Sequence, residues 1–230
     1  RLAIAEKYLK RAIEIKPDYF NAHLNLGSIY QGQGKILECI EATLKAIEIQ
    51  PESTGAYSNL LFDLSYTSAY SQAFKVEKAR AYGRLLTKHA PHPYQSWNTH
   101  GSEQCLRVGL VSGDFLEHPV SYFLRNVIAN IDAKKIELFA YTTDAREDTA
   151  TAIIKQHVSQ WRSLVGLDDA ESAALIHEDG IHVLIDLSGH TSGNRLPVFA
   201  HKPAPVQATW LGYWSTSGVE QIDYIIADAV

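Results

Sequence analysis

Leu106-Arg-Val-Gly-Leu-Val-Ser-Gly-Asp-Phe-Leu-Glu-His-Pro-Val-Ser-Tyr-Phe123 changes character midway. Val108 to Val111 form a short apolar run, rich in β-branched residues and free of Pro, which predicts a buried strand. Ser112-Gly113-Asp114 breaks it. After His118-Pro119 an amphipathic pattern begins, with Phe123, Leu124, Val127, Ile128 and Ile131. Pro suits the first turn of a helix, where its missing N–H costs nothing. The segment therefore predicts strand, short loop and helix, with Asp114 at the carboxyl end of the strand and His118 at the mouth of the helix. In an open α/β sheet that edge is where ligands bind.

Downstream the pattern keeps alternating. Strands are predicted at 136–141, 161–164, 181–186, 206–211 and 224–227, and helices at 120–131, 149–157, 168–178 and 194–200. Strands separated by helices imply parallel βαβ units and a doubly wound sheet. Three loops at strand carboxyl ends carry polar groups: Gly113-Asp114 to Glu117-His118, Ser188-Gly-His190-Thr191 to Arg195, and Gly212 to Gly218. In a parallel sheet they share one edge and can converge on one ligand. There is no G-x-G-x-x-G, no Walker loop and no G-x-S-x-G elbow, which argues against dehydrogenase, NTPase and α/β-hydrolase readings.

Upstream the sequence repeats. Ala12-Ile-Glu-Ile-Lys-Pro17 and Ala46-Ile-Glu-Ile-Gln-Pro51 match at an offset of 34, as do Ala5 with Cys39 and Leu26 with Leu60. That is the period of the tetratricopeptide repeat. The copy from Pro17 to Pro51 is complete, the first retains only its second helix, and the third has lost its Gly and looks like a cap. The array is either a peptide-binding groove or a structural lead-in, and its shortness favours the lead-in. Residues 72–89 predict one more helix, which Ala90-Pro-His-Pro-Tyr94 ends. Residues 95–104 have no periodicity. The expected organisation is 1–64 repeats, 65–104 helix and linker, and 105–230 a Rossmann-like lobe.

Composition bounds the rest. Of 230 residues, 46% are hydrophobic and 20% charged, as in globular proteins. The net charge of -5 comes without a basic stripe, which argues against nucleic acid and anionic membrane as partners. Two cysteines without metal spacing suit a reducing compartment. A chain that begins at Arg1 with no Met, and ends in an expected sheet strand, reads as a piece of a longer protein.

From position alone, His118 either caps its helix or offers a neutral imidazole that accepts a proton. Asp114 either caps the turn, which the spacing favours, or orients a hydroxyl. Asp186 either binds loop N–H groups, the favoured reading, or reaches a ligand. His190 and Arg195 either contact phosphate or sugar, or are solvated.

The motifs, taken in order, resemble the O-linked N-acetylglucosamine transferase family, in particular its bacterial members. They are the repeat segment, Leu106 to Pro119, Asp179-Gly-Ile-His-Val-Leu-Ile-Asp-Leu-Ser-Gly-His-Thr191, Arg195, Pro203-Ala-Pro-Val-Gln-Ala-Thr-Trp-Leu-Gly-Tyr213 and Thr216-Ser-Gly218. The resemblance implies a two-lobed GT-B glycosyltransferase, of which this chain holds the repeats and the amino-terminal lobe. It implies a UDP-N-acetylglucosamine donor, no metal or other cofactor, inversion at the anomeric carbon, Ser or Thr hydroxyls of proteins as acceptors, and a cytoplasmic setting. A carboxyl-terminal lobe would make most contacts to uridine and diphosphate, so this chain alone is expected to be inactive.

Residue by residue, Asp114 and His118 match family positions considered for the general base or for holding sugar and acceptor. Pro119 and Val120 follow, Val120 standing where other members have Thr. His190 replaces the Tyr of a G-Y-T motif that continues to Thr191, and Arg195 lies beyond it. Leu211 and Gly212 match a segment that packs against the sugar. Tyr94, with His92, falls near a linker His-Pro segment that places another candidate base in the family. The competing readings are a non-catalytic repeat module and a different sugar-nucleotide enzyme of the same fold, such as an epimerase.

Overall fold

A computed structural model of the chain describes residues 2–98 and 105–228. His100 and most of the expected linker (99–104) lie outside the described residues, as do 1 and 229–230. The described chain forms two compact units, Arg1–Leu85 and Leu86–Val230. Their boundary falls inside a helix, upstream of the connection expected at 95–104.

The first unit is built from α1 (Leu2–Ile15), α2 (Phe20–Gly32), α3 (Ile36–Ile49) and α4 (Thr54–Leu64), and α5 (Gln72–His89) begins in it. The repeat is visible in the element bounds. Shifting α1 by the sequence offset gives the bounds of α3, and shifting the start of α2 gives the start of α4. Small residues let α2 and α3 cross closely: a Cβ at Gly27 would sit 2.9 Å from the Thr43 hydroxyl. Ile40, Ile47, Ala56, Leu60 and Leu64 form the core. Inside it Cys39 donates through Sγ to Asp63 at 3.0 Å, and Gln31 donates to the other Asp63 oxygen at 2.7 Å. Burial, together with that carboxylate, pushes the Cys39 thiol up to about 12, which makes it a poor nucleophile.

The second unit holds a six-stranded parallel sheet in the order β3-β2-β1-β4-β5-β6. Its strands are β1 (Leu106–Ser112), β2 (Ile136–Thr142), β3 (Gln160–Ser163), β4 (Val183–Asp186), β5 (Val206–Thr209) and β6 (Tyr224–Ile225). The helices between them are α6 (Pro119–Ala129), α7 (Thr149–Lys155), α8 (Asp169–Glu178) and α9 (Leu196–Ala200). Leu110, Leu138 and Ala140 alternate with Gly109, Phe139 and Tyr141 along β1 and β2. The first set packs with Val120, Leu124, Ile128 and Ile154 of α6 and α7. On the other face the Tyr141 hydroxyl donates to Asp179, the C-cap of α8, at 2.9 Å. Gly109 is small because a Cβ there would lie 2.8 Å from Leu184 and 2.9 Å from Tyr141. The chain runs outward from β1 to β3, crosses to β4 and runs outward again. The carboxyl ends of β1 and β4 therefore flank the point where strand order reverses, the place where open α/β sheets hold ligands.

Several elements are shorter than their sequence patterns. The strand expected at 206–211 stops at Thr209, because Leu211 takes a φ of 67° and leaves extended geometry. The strand expected from Ile181 begins at Val183, after the left-handed turn at Gly180 (φ 64°). The helix expected from Asn194 begins at Leu196, whose amide the Asn194 side chain accepts at 3.4 Å. β6 has two exposed residues rather than the four of 224–227.

Candidate active site

The loop from β1 to α6 is folded on its own polar groups. Ser112 is fully buried, and its Oγ accepts the Asp114 amide at 2.9 Å. The Asp114 carbonyl accepts the Ser121 hydroxyl at 2.5 Å. His118 is the N-cap of α6, with Pro119 in the first turn, and its Nδ1 accepts the Val120 amide at 3.3 Å. The same nitrogen lies 3.8 Å from Oδ2 of Asp114. The ring therefore caps the helix, the first of its two sequence readings, and also faces a carboxylate. Burial raises the Asp114 pKa. Asp144 adds to that rise, and positive charge on His118 or Arg146 opposes it.

The tautomer decides what the ring can do. While Nδ1 accepts the Val120 amide, a neutral imidazole carries its proton on Nε2 and presents a donor. A proton on Nδ1 instead gives up that bond and leaves Nε2 as a lone pair, able to take a proton. The Asp114 carboxylate faces Nδ1 at 3.8 Å, beyond hydrogen-bond distance.

The β2–α7 connection, absent from the sequence-based site, supports this loop. Thr143 donates to the Gly193 carbonyl at 2.7 Å, linking the loops that follow β2 and β4. Asp144 takes Arg146 in a two-pronged pair at 2.6 and 3.0 Å, which holds its carboxyl down to about 2. Asp148 and Thr151 form a capping box at the start of α7 and also bind the β1–α6 loop. The signal was present in the sequence: Asp148-x-x-Thr151 after a strand is a cap pattern, and it lies at the same sheet edge.

The loops after β4 and β5 interlock. Asp186 is buried and accepts the amides of Ser188 (3.1 Å) and Gly189 (2.8 Å) and the Thr209 hydroxyl (2.8 Å). Its favoured sequence reading, a binder of loop N–H groups, describes this geometry. Gly189 has a φ of 57°, and a Cβ there would stand 2.1 Å from that of Tyr213. A Cβ on Gly212 would fall 2.0 Å from the Leu187 carbonyl oxygen. Leu211 holds its left-handed backbone between these contacts, a strained conformation for a branched residue.

The other sequence candidates are placed as follows. His190 is not solvated: it is 3% exposed, hydrogen-bonds the Ser217 carbonyl at 2.9 Å and stands edge-on to Tyr213. Burial lowers its pKa to about 4, so the ring is neutral. The Thr191 hydroxyl donates to the Ser188 carbonyl at 2.9 Å. Arg195 is not solvated either. Its guanidinium donates to Leu167 (3.1 Å) and Asp168 (3.0 Å) carbonyls and to the Ser172 hydroxyl (2.7 Å), and pairs with Asp169. It thereby ties the β4–α9 loop to the start of α8. The Val120 side chain is packed in the core against α7, so Val120 offers the site its amide. Leu211 packs in part against the same core.

Tyr94 is not brought to this edge. Its amide donates to the His201 carbonyl at 2.9 Å, and its ring stacks on His177 at 3.8 Å. His201 and His177 close α9 and α8, at the amino-terminal edge of the strands. The structure therefore brings together Asp114, His118, Pro119, His190, Thr191, Leu211 and Gly212 on the carboxyl edge, and leaves Tyr94 at the opposite one.

Among the described residues, no group of three His, Cys, Asp or Glu side chains is placed to hold a metal ion. No described helix is long and apolar enough to cross a membrane.

Comparison with known proteins gives three kinds of match. The profile of glycosyl transferase family 41 matches residues 58–230. Tetratricopeptide repeat profiles match 5–34 and 20–53. A rice (Oryza sativa subsp. japonica) relative named probable UDP-N-acetylglucosamine–peptide N-acetylglucosaminyltransferase SPINDLY is 34% identical over 196 residues, 83% of this chain and 21% of the relative. A Caenorhabditis elegans UDP-N-acetylglucosamine–peptide N-acetylglucosaminyltransferase is 39% identical over 131 residues, 55% of this chain and 11% of the relative. Among solved structures, a mutant of the Thermobaculum terrenum O-GlcNAc transferase superposes with a TM-score of 0.89 at 34% identity, covering 99% of this chain and 44% of that one. The chain thus spans at most about a fifth of the length of these two curated relatives.

Proposed function

The chain belongs to glycosyl transferase family 41, and from that premise we propose that the protein is an inverting transferase that moves N-acetylglucosamine from UDP-N-acetylglucosamine to Ser or Thr hydroxyls of proteins. The observation that carries the chemistry is the Asp114–His118 pair, set at the point where strand order reverses and flanked by the interlocked β4 and β5 loops. In the transfer, the acceptor oxygen forms a bond to the anomeric carbon. The bond from that carbon to the β-phosphate oxygen breaks, and its electron pair leaves with UDP. The acceptor proton passes to Nε2 of His118, and the Asp114 carboxylate, 3.8 Å from Nδ1, balances the charge that forms on the ring.

His190 and Gly189, through Tyr213, hold the Gly212 loop in shape, and that loop with Leu211 forms the wall on which the sugar packs. A carboxyl-terminal lobe supplies the uridine and diphosphate contacts. The repeats carry the protein acceptor or help to orient it. The setting is cytoplasmic, where free thiols such as Cys39 stay reduced.

The test is a transfer assay with the full-length protein, a Ser/Thr peptide library and labelled UDP-N-acetylglucosamine. Label should enter peptide as an alkali-labile O-linked sugar. Hydrolysis of the donor with no labelled peptide would oppose the reading.

A further inference from the structure

We propose that Asp148 and Thr151, at the start of α7, are positioning residues that set the orientation of His118. The inference rests on the role given to His118 under Proposed function and extends it to a second element. The chain between β1 and α6 leaves the strand ladder at Ser112 and re-enters regular structure at Pro119. Three hydrogen bonds to α7 hold it in between. The Thr151 hydroxyl donates to the Phe115 carbonyl at 2.6 Å. The Glu117 amide, one residue before His118, donates to Oδ2 of Asp148 at 2.7 Å. The Thr149 hydroxyl donates to the Glu117 carboxylate at 2.8 Å.

A helix cap needs only one carboxylate oxygen. Oδ1 of Asp148 already accepts the Thr151 amide at 3.1 Å, and the Asp148 amide donates to the Thr151 hydroxyl at 3.1 Å, completing the capping box. The second oxygen crosses 31 positions of sequence to the residue beside His118. That bond is charge-assisted and short, as strong positioning bonds are. Phe115 anchors the same loop in the core, 5.4 Å from the Trp161 ring centroid. The loop is therefore fixed at a backbone carbonyl, an aromatic side chain and a backbone amide. The His118 imidazole is the next group along.

Asp148→Asn separates the two duties. Its amide oxygen still caps Thr151, while its NH2 cannot accept the Glu117 amide. In the full-length protein, kcat is expected to fall about tenfold or more, because small misplacements of a reacting group cost rate steeply, while donor KM stays within about twofold. In a His118→Ala background the same substitution should change the residual rate by less than about twofold, since the group it positions is gone. An unchanged kcat in Asp148→Asn overturns the inference, as does an equal loss of rate with and without His118. A parent enzyme that transfers no sugar instead overturns the functional reading on which the inference stands.

Discussion

Nδ1 of His118 lies 3.8 Å from Oδ2 of Asp114 and accepts the Val120 amide at 3.3 Å, so one nitrogen faces both a donor and a carboxylate. The two contacts ask for opposite tautomers. The helix cap wants Nδ1 unprotonated, and Asp114 wants it protonated. In the proposed transfer, an ionised Asp114 favours the form whose Nε2 can take a proton.

Asp114→Asn should therefore damage turnover more than binding. A fall in kcat of about a hundredfold, with donor KM changed less than about threefold, is expected. Because burial raises the Asp114 pKa, the wild-type rate should decline on the acid side at a pH above that of an ordinary aspartate. The Asn variant should lose the part of that limb that Asp114 contributes, which changes its shape. A pH–rate profile identical in shape to wild type would remove Asp114 from the chemistry.

The interlock of the β4 and β5 loops predicts a contrast between two glycines. A methyl on Gly212 meets a backbone carbonyl at 2.0 Å, with no flexible group to yield. Gly212→Ala should destabilise by about 3 kcal/mol or more. Gly34 has a φ of 72° but nothing within 4 Å. Gly34→Ala meets only backbone strain, about 1 kcal/mol. Thermal melting of the two variants side by side measures the difference, and equal shifts would contradict the packing described.

His190 should make stability depend on pH in a defined window. Its pKa in the folded protein is lowered to about 4 by burial, against 6.5 for an exposed ring. The unfolded chain therefore binds more protons between these values, and stability falls as pH drops from 6.5 toward 4. Above 6.5 the contribution is fully present. Its full size is about 3 kcal/mol, at 1.36 kcal/mol per pKa unit. Denaturant melts of wild type and His190→Gln across this range should show a flatter profile for the variant. Parallel profiles would mean that the ring does not stay neutral on folding.

The two thiols should differ in reactivity. Cys39 is 2% exposed and donates to Asp63, while Cys105 is partly exposed. Brief alkylation of the native protein, read by mass spectrometry of peptides, should label Cys105 well before Cys39. Rapid labelling of Cys39 would show that the repeat core opens more readily than its packing implies.

Local signals explain how much of this was legible in the sequence. The apolar run ending at Val111 and Pro119 in a first turn located β1 and α6, because each depends on neighbouring residues. The spacing of Ala12 to Pro17 and Ala46 to Pro51 located the repeats for the same reason. Arg195 was legible only as a cation near a Gly-rich loop. Its partners lie 23 to 31 positions away, and nothing local names them. Nothing local explains Gly189 either, because its smallness answers to Tyr213 on the next strand's loop. The strap from Asp148 to Glu117 escaped because Asp148 has a complete local explanation as a cap, and the second oxygen's use appears only in three dimensions. Tyr94 escaped in the other direction: its placement follows from which edge of the sheet α8 and α9 end on.

In the proposed transfer His118 takes the acceptor proton. The most direct measurement pairs UDP binding with sugar transfer, in the full-length wild type and in His118→Ala. Calorimetry should give UDP affinities within about threefold of each other, while transfer falls by about a hundredfold or more in the variant. Transfer that persists near the wild-type rate in His118→Ala would contradict the central claim.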